Sequence, residues 1–202
     1  MNILIDLLPT TITVNGIEYK INTDFRTCIL FETLMLDNEL NTEQKVFTTI
    51  DLFFCEEVPD FNSIESAMNE LMKFYRCGKE VDYSKKKTSS TAQSKKIYDY
   101  DFDAPYIYSA FKEQYNIDLQ DIKYLHWWKF KALFDSLSDK TMFVKIMGYR
   151  NVDLNKITDV AERERIRSIQ SDYKIPLPKS EVDKDNEIMN RLLNGKNISD
   201  LI

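Results

Sequence analysis

Glycine is scarce in this chain, and the scarcity limits the folds that the chain can adopt. Only 4 glycines and 5 prolines occur among 202 residues, whereas average usage would give about 7% glycine and about 5% proline. Sandwiches and barrels need frequent turn signals, and nucleotide-binding α/β folds need glycine-rich phosphate loops. The composition therefore predicts a mainly α fold with long, uninterrupted helices.

Charge and cysteine usage exclude several functional classes. The net charge is -6 and the pI is near 5.0, and an acidic chain repels the phosphate backbone that dominates nucleic-acid affinity. The cysteines Cys28, Cys55 and Cys77 lie far apart, each within or at the end of an apolar segment. This pattern predicts buried, reduced thiols rather than disulfides or a zinc site. We expect no nucleic-acid partner, no metal and no cofactor.

The beginning of the chain does not resemble a targeting segment. MNILIDLLPTT has a short apolar run without a basic region, and Asp6 interrupts the run. Elsewhere, too, no run approaches the roughly 18 apolar residues that a membrane span needs. We expect a soluble, intracellular protein without membrane contact.

A β-hairpin is predicted near the N-terminus. Thr11–Val14 and Ile17–Ile21 alternate between apolar and polar residues, and Asn15-Gly16 between them is the pair favoured in a two-residue type I′ turn. A lone hairpin is marginal in water, so it must pack on something. The apolar pattern also allows a third strand over Ile3–Leu8, ended by Pro9.

Three helices are predicted after the hairpin. The first covers 24–36, is capped by its first residue, and is apolar on most faces, so it is either buried or available to a partner. The second starts at Thr42. The third begins with a capping box of Asn62 and Glu65 and ends at Gly78, which is a typical residue after a helix C-cap.

The chain divides at a lysine- and serine-rich segment. Ser84–Lys96 contains one alanine and no larger apolar side chain, so it cannot offset the entropy of ordering. We predict a hairpin with three helices in 1–78, a flexible loop in 79–102, further helices in 103–175, and a spacer with a short terminal helix in 176–202. The two halves can also belong to one domain.

The helices of the second half begin after Asp103. Asp118 and Asp121 favour the start of the longest helix, which continues to about Leu137. Another helix is predicted from Ser138 to about Arg150, and a solvated helix is predicted within 153–173. The overall expectation is a bundle-like domain of seven or eight helices with an N-terminal β-hairpin.

No residue pattern predicts catalysis. His126, the single histidine, lies on the apolar stripe of the longest predicted helix and has no nearby Ser, Cys or ligand partner in the sequence. We expect it at the edge of the core rather than in the role of a general base. The acidic run Asp99–Asp103 resembles a calcium loop, but it lacks the loop glycine and the closing glutamate.

Aromatic and apolar side chains are the candidates for partner binding. Trp127 and Phe134 lie on one side of the predicted stripe, and Tyr124 and Trp128 lie on the other. Such a helix is either the centre of a bundle, or it exposes one tryptophan flank as an anchor for a partner. The last predicted helix, over Ser180–Asn194, carries an apolar patch. That patch consists of Ile188, Met189, Leu192 and Leu193.

Three segments resemble the bacteriophage gene-product-fifteen family. The most specific is HWWKFKAL at 126–133; the other two are INTDFR at 21–26 and YKIPLP at 173–178. Further residues after the first segment fit the same family. These residues are Leu137, Thr141, Phe143, Ile146 and Arg150.

The resemblance implies a protein of phage tail morphogenesis that acts in the host cytoplasm. Members are usually regarded as tail assembly chaperones, which coat the helical tape measure protein until the tail tube polymerises around it, and no catalytic residue is implied. We therefore expect a non-enzymatic chaperone that binds the tape measure protein and can form a homo-oligomer. The alternative is a minor virion structural protein or head-to-tail connector.

Overall fold

The structure, a computed structural model, describes residues 2–79 and 96–176. Within these residues it contains seven α-helices and one two-stranded antiparallel sheet, and the helical content is 54%. The predicted mainly α fold is confirmed. The terminal helix predicted over Ser180–Asn194 lies outside the described residues, as does most of the predicted loop.

The hairpin has the predicted strands and turn. β1 (Thr11–Val14) pairs with β2 (Ile17–Lys20), and Val14 lies opposite Ile17. The turn residues Asn15 and Gly16 have φ of 50° and 85°, as a type I′ turn requires. The prediction of a third strand over Ile3–Leu8 was wrong, because these residues form a turn outside the sheet and most of them are exposed.

The first two helices begin where the sequence predicts. In α1 (Phe25–Leu36) the Asp24 side chain accepts a hydrogen bond from the Arg26 N–H. In α2 (Thr42–Phe53) Asn41 and Gln44 form a reciprocal capping box, which satisfies two backbone donors that the helix itself cannot pair.

The third helix, α3 (Ile64–Tyr75), differs from its prediction at the N-terminus. A short 3-10 turn at Phe61–Ser63 precedes it, so Ser63 rather than Asn62 is the N-cap, and its side chain makes no capping bond. After α3 the chain leaves through Cys77 and Gly78, which both have positive φ.

Four helices follow the undescribed segment. They are α4 (Ala104–Tyr115), α5 (Trp127–Asp135), α6 (Met142–Asn151) and α7 (Val160–Asp172). The prediction of one long helix from Asp118 to Leu137 was wrong, since α5 has only 9 residues.

The backbone before α5 makes long-range hydrogen bonds, and this explains why α5 is short. The Leu125 carbonyl accepts from the Phe25 N–H at 2.9 Å, and the Trp127 N–H donates to the Thr23 carbonyl at 2.8 Å. The Leu125 N–H donates to the Asp24 carboxylate at 3.2 Å. Groups that a helix would pair internally are therefore committed to the start of α1.

Residues from both halves of the chain form one apolar core. Tyr100 belongs to it and the half-buried Tyr98 packs against it, and these two rings contact Phe134 at centroid distances of 5.6 and 5.3 Å. They fall within the segment 79–102 that the sequence predicts as a flexible loop, so ordered packing begins earlier than predicted. The largest fully buried side chains are Phe31, Phe53, Phe111, Trp127, Phe130 and Phe143.

A buried ion pair connects α4, α6 and α7. The Arg150 guanidinium donates to both carboxylate oxygens of Asp103 at 2.6 and 2.8 Å. It also donates to the carbonyls of Ile97 and Tyr173 at 3.1 and 2.7 Å. Because both charges are removed from water, their cost of burial is offset only while every one of these bonds is made.

Replacing Arg150 with Met should leave the Asp103 carboxylate buried without its partner and lower the free energy of unfolding by about 3–5 kcal/mol. Urea denaturation followed by circular dichroism measures this. Arg165→Met removes an arginine from an exposed pair with Glu162 and should have a much smaller effect. Equal losses in the two variants would contradict the structural role of the buried pair.

Candidate partner-binding surface

The two tryptophans at the start of α5 are core residues. Their indole N–H groups donate to the last carbonyls of α3, from Trp127 to Tyr75 at 2.7 Å and from Trp128 to Phe74 at 2.8 Å. Trp127 is 1% exposed and Trp128 is 7% exposed. Gly78 leaves room for the second indole, since a Cβ there would lie 3.3 Å from the ring of Trp128.

The other two aromatic candidates differ from each other in exposure. Phe134 is buried and packs against Phe143. Tyr124 lies in the loop before α5 and is exposed, and its hydroxyl shares a 2.6 Å hydrogen bond with Thr23. The three candidates on α5 thus have the position expected of a central bundle helix, and partner binding through Tyr124 stays a prediction. The patch of Ile188, Met189, Leu192 and Leu193 lies outside the described residues.

His126 is the buried N-cap of α5 rather than a residue within a helical stripe. Its Nδ1 accepts the Trp128 backbone N–H at 3.1 Å, and its Nε2 lies 3.0 Å from the Pro9 carbonyl. An acceptor role for Nδ1 requires the neutral ring to carry its proton on Nε2, which then donates to Pro9. Burial lowers the pKa of His126, and Lys129 lowers it further.

The acidic run Asp99–Asp103 has a structural explanation. The Asp103 carboxylate pairs with Arg150, and Asp99 accepts hydrogen bonds from the backbone N–H groups of Asp101 and Phe102. Among residues 2–79 and 96–176, no group of three or more His, Cys, Asp or Glu side chains is arranged to hold a metal ion.

The cysteines are all free, but they are not all buried as the sequence predicts. Cys28 is buried, Cys77 is half-buried and Cys55 is exposed. Burial raises the pKa of both Cys28 and Cys77, so these two thiols stay protonated at neutral pH.

Among the exposed apolar side chains, two groups are considered first as contacts for a partner. The N-terminal arm, residues 2–8, exposes Ile3, Leu4, Ile5 and Leu7. The name α1–α2 face is used for the solvent side of the packed helices α1 and α2, where Leu30 and Leu36 of α1 and Phe47 of α2 are exposed. Contiguous exposed apolar side chains, as in the arm, are typical of interaction sites.

The apolar character of α1 was visible in the sequence, but the arm was not recognised. α1 buries Phe25, Phe31 and Leu34 while it leaves Leu30 and Leu36 at the surface. The predicted burial is confirmed for one side of this helix, and contact of the exposed side chains with a partner stays a prediction. The apolar pattern of the arm allows a strand instead. Its polar residues, Asn2 and Asp6, are four apart, which is a spacing that closes a turn.

No helix in the described parts of the chain is both long enough and apolar enough to cross a membrane.

Comparison with known proteins gives one family. The family described as Bacteriophage Gp15 protein matches residues 4–175, which include all of the described helices, the α1–α2 face and the arm from Leu4 onward. No curated protein and no solved structure matched the chain.

Trp128→Phe should lower the free energy of unfolding by about 1–3 kcal/mol, because the Phe74 carbonyl loses the indole donor in a buried place. Chemical denaturation measures the change. Tyr124→Phe is the matched control, since it also removes one aromatic donor but at an exposed position. A control that loses as much stability as the Trp128 variant would contradict the assigned role of the indole bond.

Acidification should destabilise the protein through His126. Its pKa in the folded state lies below the value of about 6.5 in the unfolded chain, so the unfolded state binds the proton more readily as pH falls. The stability that depends on this residue is therefore complete above about pH 6.5 and declines below it.

An NMR titration of the single histidine should give a pKa below that of a model peptide. His126→Asn keeps a side chain suited to the N-cap position but removes the titration, and its stability should change less between pH 7.5 and 5.5, a range chosen to bracket the histidine transition. A native pKa at or above the peptide value would refute the prediction.

Proposed function

Because the chain belongs to the Bacteriophage Gp15 protein family, whose members are phage structural or morphogenesis proteins, we propose that it is a tail assembly chaperone that binds the tape measure protein. On this proposal it is non-enzymatic and works in the host cytoplasm. The observation that carries the proposal is the α1–α2 face, where large apolar side chains are exposed on a helical protein of this family.

The geometry of this face suits a helical client. Leu30 and Leu36 are six residues apart on α1, which places them about 120° apart around the helix axis, and Phe47 lies on the neighbouring helix. One client helix would therefore contact Phe47 and one of the two leucines. A client helix with an apolar face can lie against two packed helices and bury that face, which is the helix-in-groove mode of recognition. We expect Phe47 to be the central contact, since aromatic side chains are enriched among the energetically dominant residues of interfaces.

The charges around the face specify the client further. From residue 32 to residue 51 the chain has five acidic side chains and one basic side chain, that of Lys45. The Lys45 ammonium group donates to the Met35 carbonyl at 2.9 Å. Glu39, Glu43 and Asp51 are exposed. An amphipathic helix with basic residues beside its apolar stripe would be complementary to this surface.

Co-expression with the tape measure protein of the same phage tests the proposal. The wild-type chain should keep the tape measure protein soluble and co-purify with it. Leu30→Asp/Phe47→Asp should lose both effects, because it places two carboxylates in the apolar face. Val160→Asp/Met142→Asp is the matched control, since both residues are exposed first residues of helices, and it should behave as wild type.

The outcomes test the chaperone function and the location of the binding surface separately. No complex with the wild-type chain, when both proteins are folded, would contradict the chaperone function. A complex that survives Leu30→Asp/Phe47→Asp unchanged would contradict the assignment of the α1–α2 face. Mass spectrometry of purified virions tests the alternative, because a structural or connector protein should be present in stoichiometric amounts and a chaperone should not.

A further inference from the structure

In the N-terminal arm the polar groups are paired with one another and the apolar side chains are exposed to solvent. The Asn2 carbonyl accepts from the N–H groups of Ile5 and Asp6 at 3.0 and 2.8 Å. The Asn2 N–H donates to the Asp6 carboxylate at 2.6 Å, and the Asn2 side chain accepts from the Leu4 N–H at 3.0 Å. The polar groups of the arm therefore bond to one another, while Leu4, Ile5 and Leu7 are 90%, 80% and 94% exposed.

The arm is fixed to the domain at its C-terminal end. Leu8 is half-buried against the core, and the Pro9 carbonyl is bound by His126. The arm thus presents its apolar side chains from a defined point and in a turn that is already formed, so little ordering entropy remains to be lost when a partner covers it.

The size of the arm favours a second copy of this chain as the partner. A fully exposed Leu or Ile side chain offers on the order of 100 Å² of apolar surface, so the arm offers roughly 300 Å² by the same measure. One arm seated on one surface would bury roughly 600 Å² in total, which is the size of a nonspecific contact. Two arms exchanged reciprocally would bury about 1,200 Å², the lower limit for specific interfaces.

The chain also carries a receiving surface of the right chemistry. The Asn15 side chain donates to the Ser63 hydroxyl at 3.0 Å, which holds the hairpin turn beside the 3-10 turn. Ile17 follows Asn15 by two residues and is 55% exposed, and Phe61 precedes Ser63 by two residues and is 79% exposed. We propose that two copies of the chain pair symmetrically, with the N-terminal arm of each copy seated on Ile17 and Phe61 of the other.

Symmetry explains why such a dimer would close. In a two-fold pair each copy gives one arm and receives one, so no unpaired arm remains to recruit a third chain. The small buried area makes the dimer weak and dependent on concentration. Pairing uses neither Leu30 nor Phe47, so it is independent of the proposed binding of the tape measure protein.

Sedimentation equilibrium of the full chain over a concentration series tests the pairing. Any tag is placed at the C-terminus, because an N-terminal tag would extend the arm. The wild-type mass should rise with concentration from 23.9 kDa towards twice that value. Leu4→Asp/Leu7→Asp should raise the dissociation constant about tenfold or more, and these side chains are too exposed for the change to affect folding, which circular dichroism verifies.

Phe61→Asp should weaken pairing to a similar extent, and Val160→Asp/Met142→Asp, which adds the same charges at other exposed apolar positions, should pair as wild type. A wild-type chain that stays monomeric throughout would overturn the proposal, and so would an arm variant that pairs normally. Loss of pairing in the control variant would overturn it as well, because charge alone would then explain the effect. Normal pairing of Phe61→Asp would overturn the receiving surface.

Discussion

The fold depends on an interlock between the start of α1 and the segment before α5. The Asp24 carboxylate caps α1 through the Arg26 N–H and also accepts the Leu125 N–H about a hundred positions along the chain. The Arg26 guanidinium donates to the carbonyls of Leu119 and Ile122, both at 2.8 Å. One short segment thus satisfies the backbone of a loop that would otherwise be buried with unpaired groups.

This interlock assigns structural roles to two of the sequence segments that carry the resemblance to the family. The segment INTDFR contains Asp24, which caps α1, and Arg26, which donates to the two loop carbonyls. It also contains Phe25, whose ring stacks on that of Phe130 at a centroid distance of 4.8 Å. The segment HWWKFKAL contains the residues on the other side of these contacts. They are His126, which caps α5, the two tryptophans whose indoles bind the end of α3, and Phe130. The two segments are far apart in the chain and close together in the structure, and both act in holding the fold together.

Local signals in the sequence predicted local structure well. Asn15-Gly16 made its turn and Asp24 capped α1, because each effect involves only neighbouring residues. Asp118 also did what its side chain favours, accepting bonds from the Gln120 and Asp121 N–H groups, yet no helix follows. The competing bonds to α1 come from the other end of the chain, and periodicity within a window cannot reveal them.

The candidate surface was harder to predict for a related reason. Size and rigidity suit a tryptophan equally to a core and to an interface, so the sequence could not distinguish the two, and the structure places both indoles inside. The arm shows the opposite case, because the four apolar residues that it exposes are part of a pattern that allows a strand. They stay outside because the edge of the hairpin is not extended by them and their polar neighbours close a turn instead.

The imidazole of His126 joins two parts of the molecule that have different tasks. On one side it holds Pro9, where the arm leaves the domain, and on the other it caps the helix that carries both tryptophans of the chain. Its ring also meets that of Trp128 edge to face at 6.1 Å. Because a single side chain connects Pro9 with the surroundings of the indole of Trp128, we expect a change at the base of the arm to alter the intrinsic tryptophan fluorescence, which needs no label.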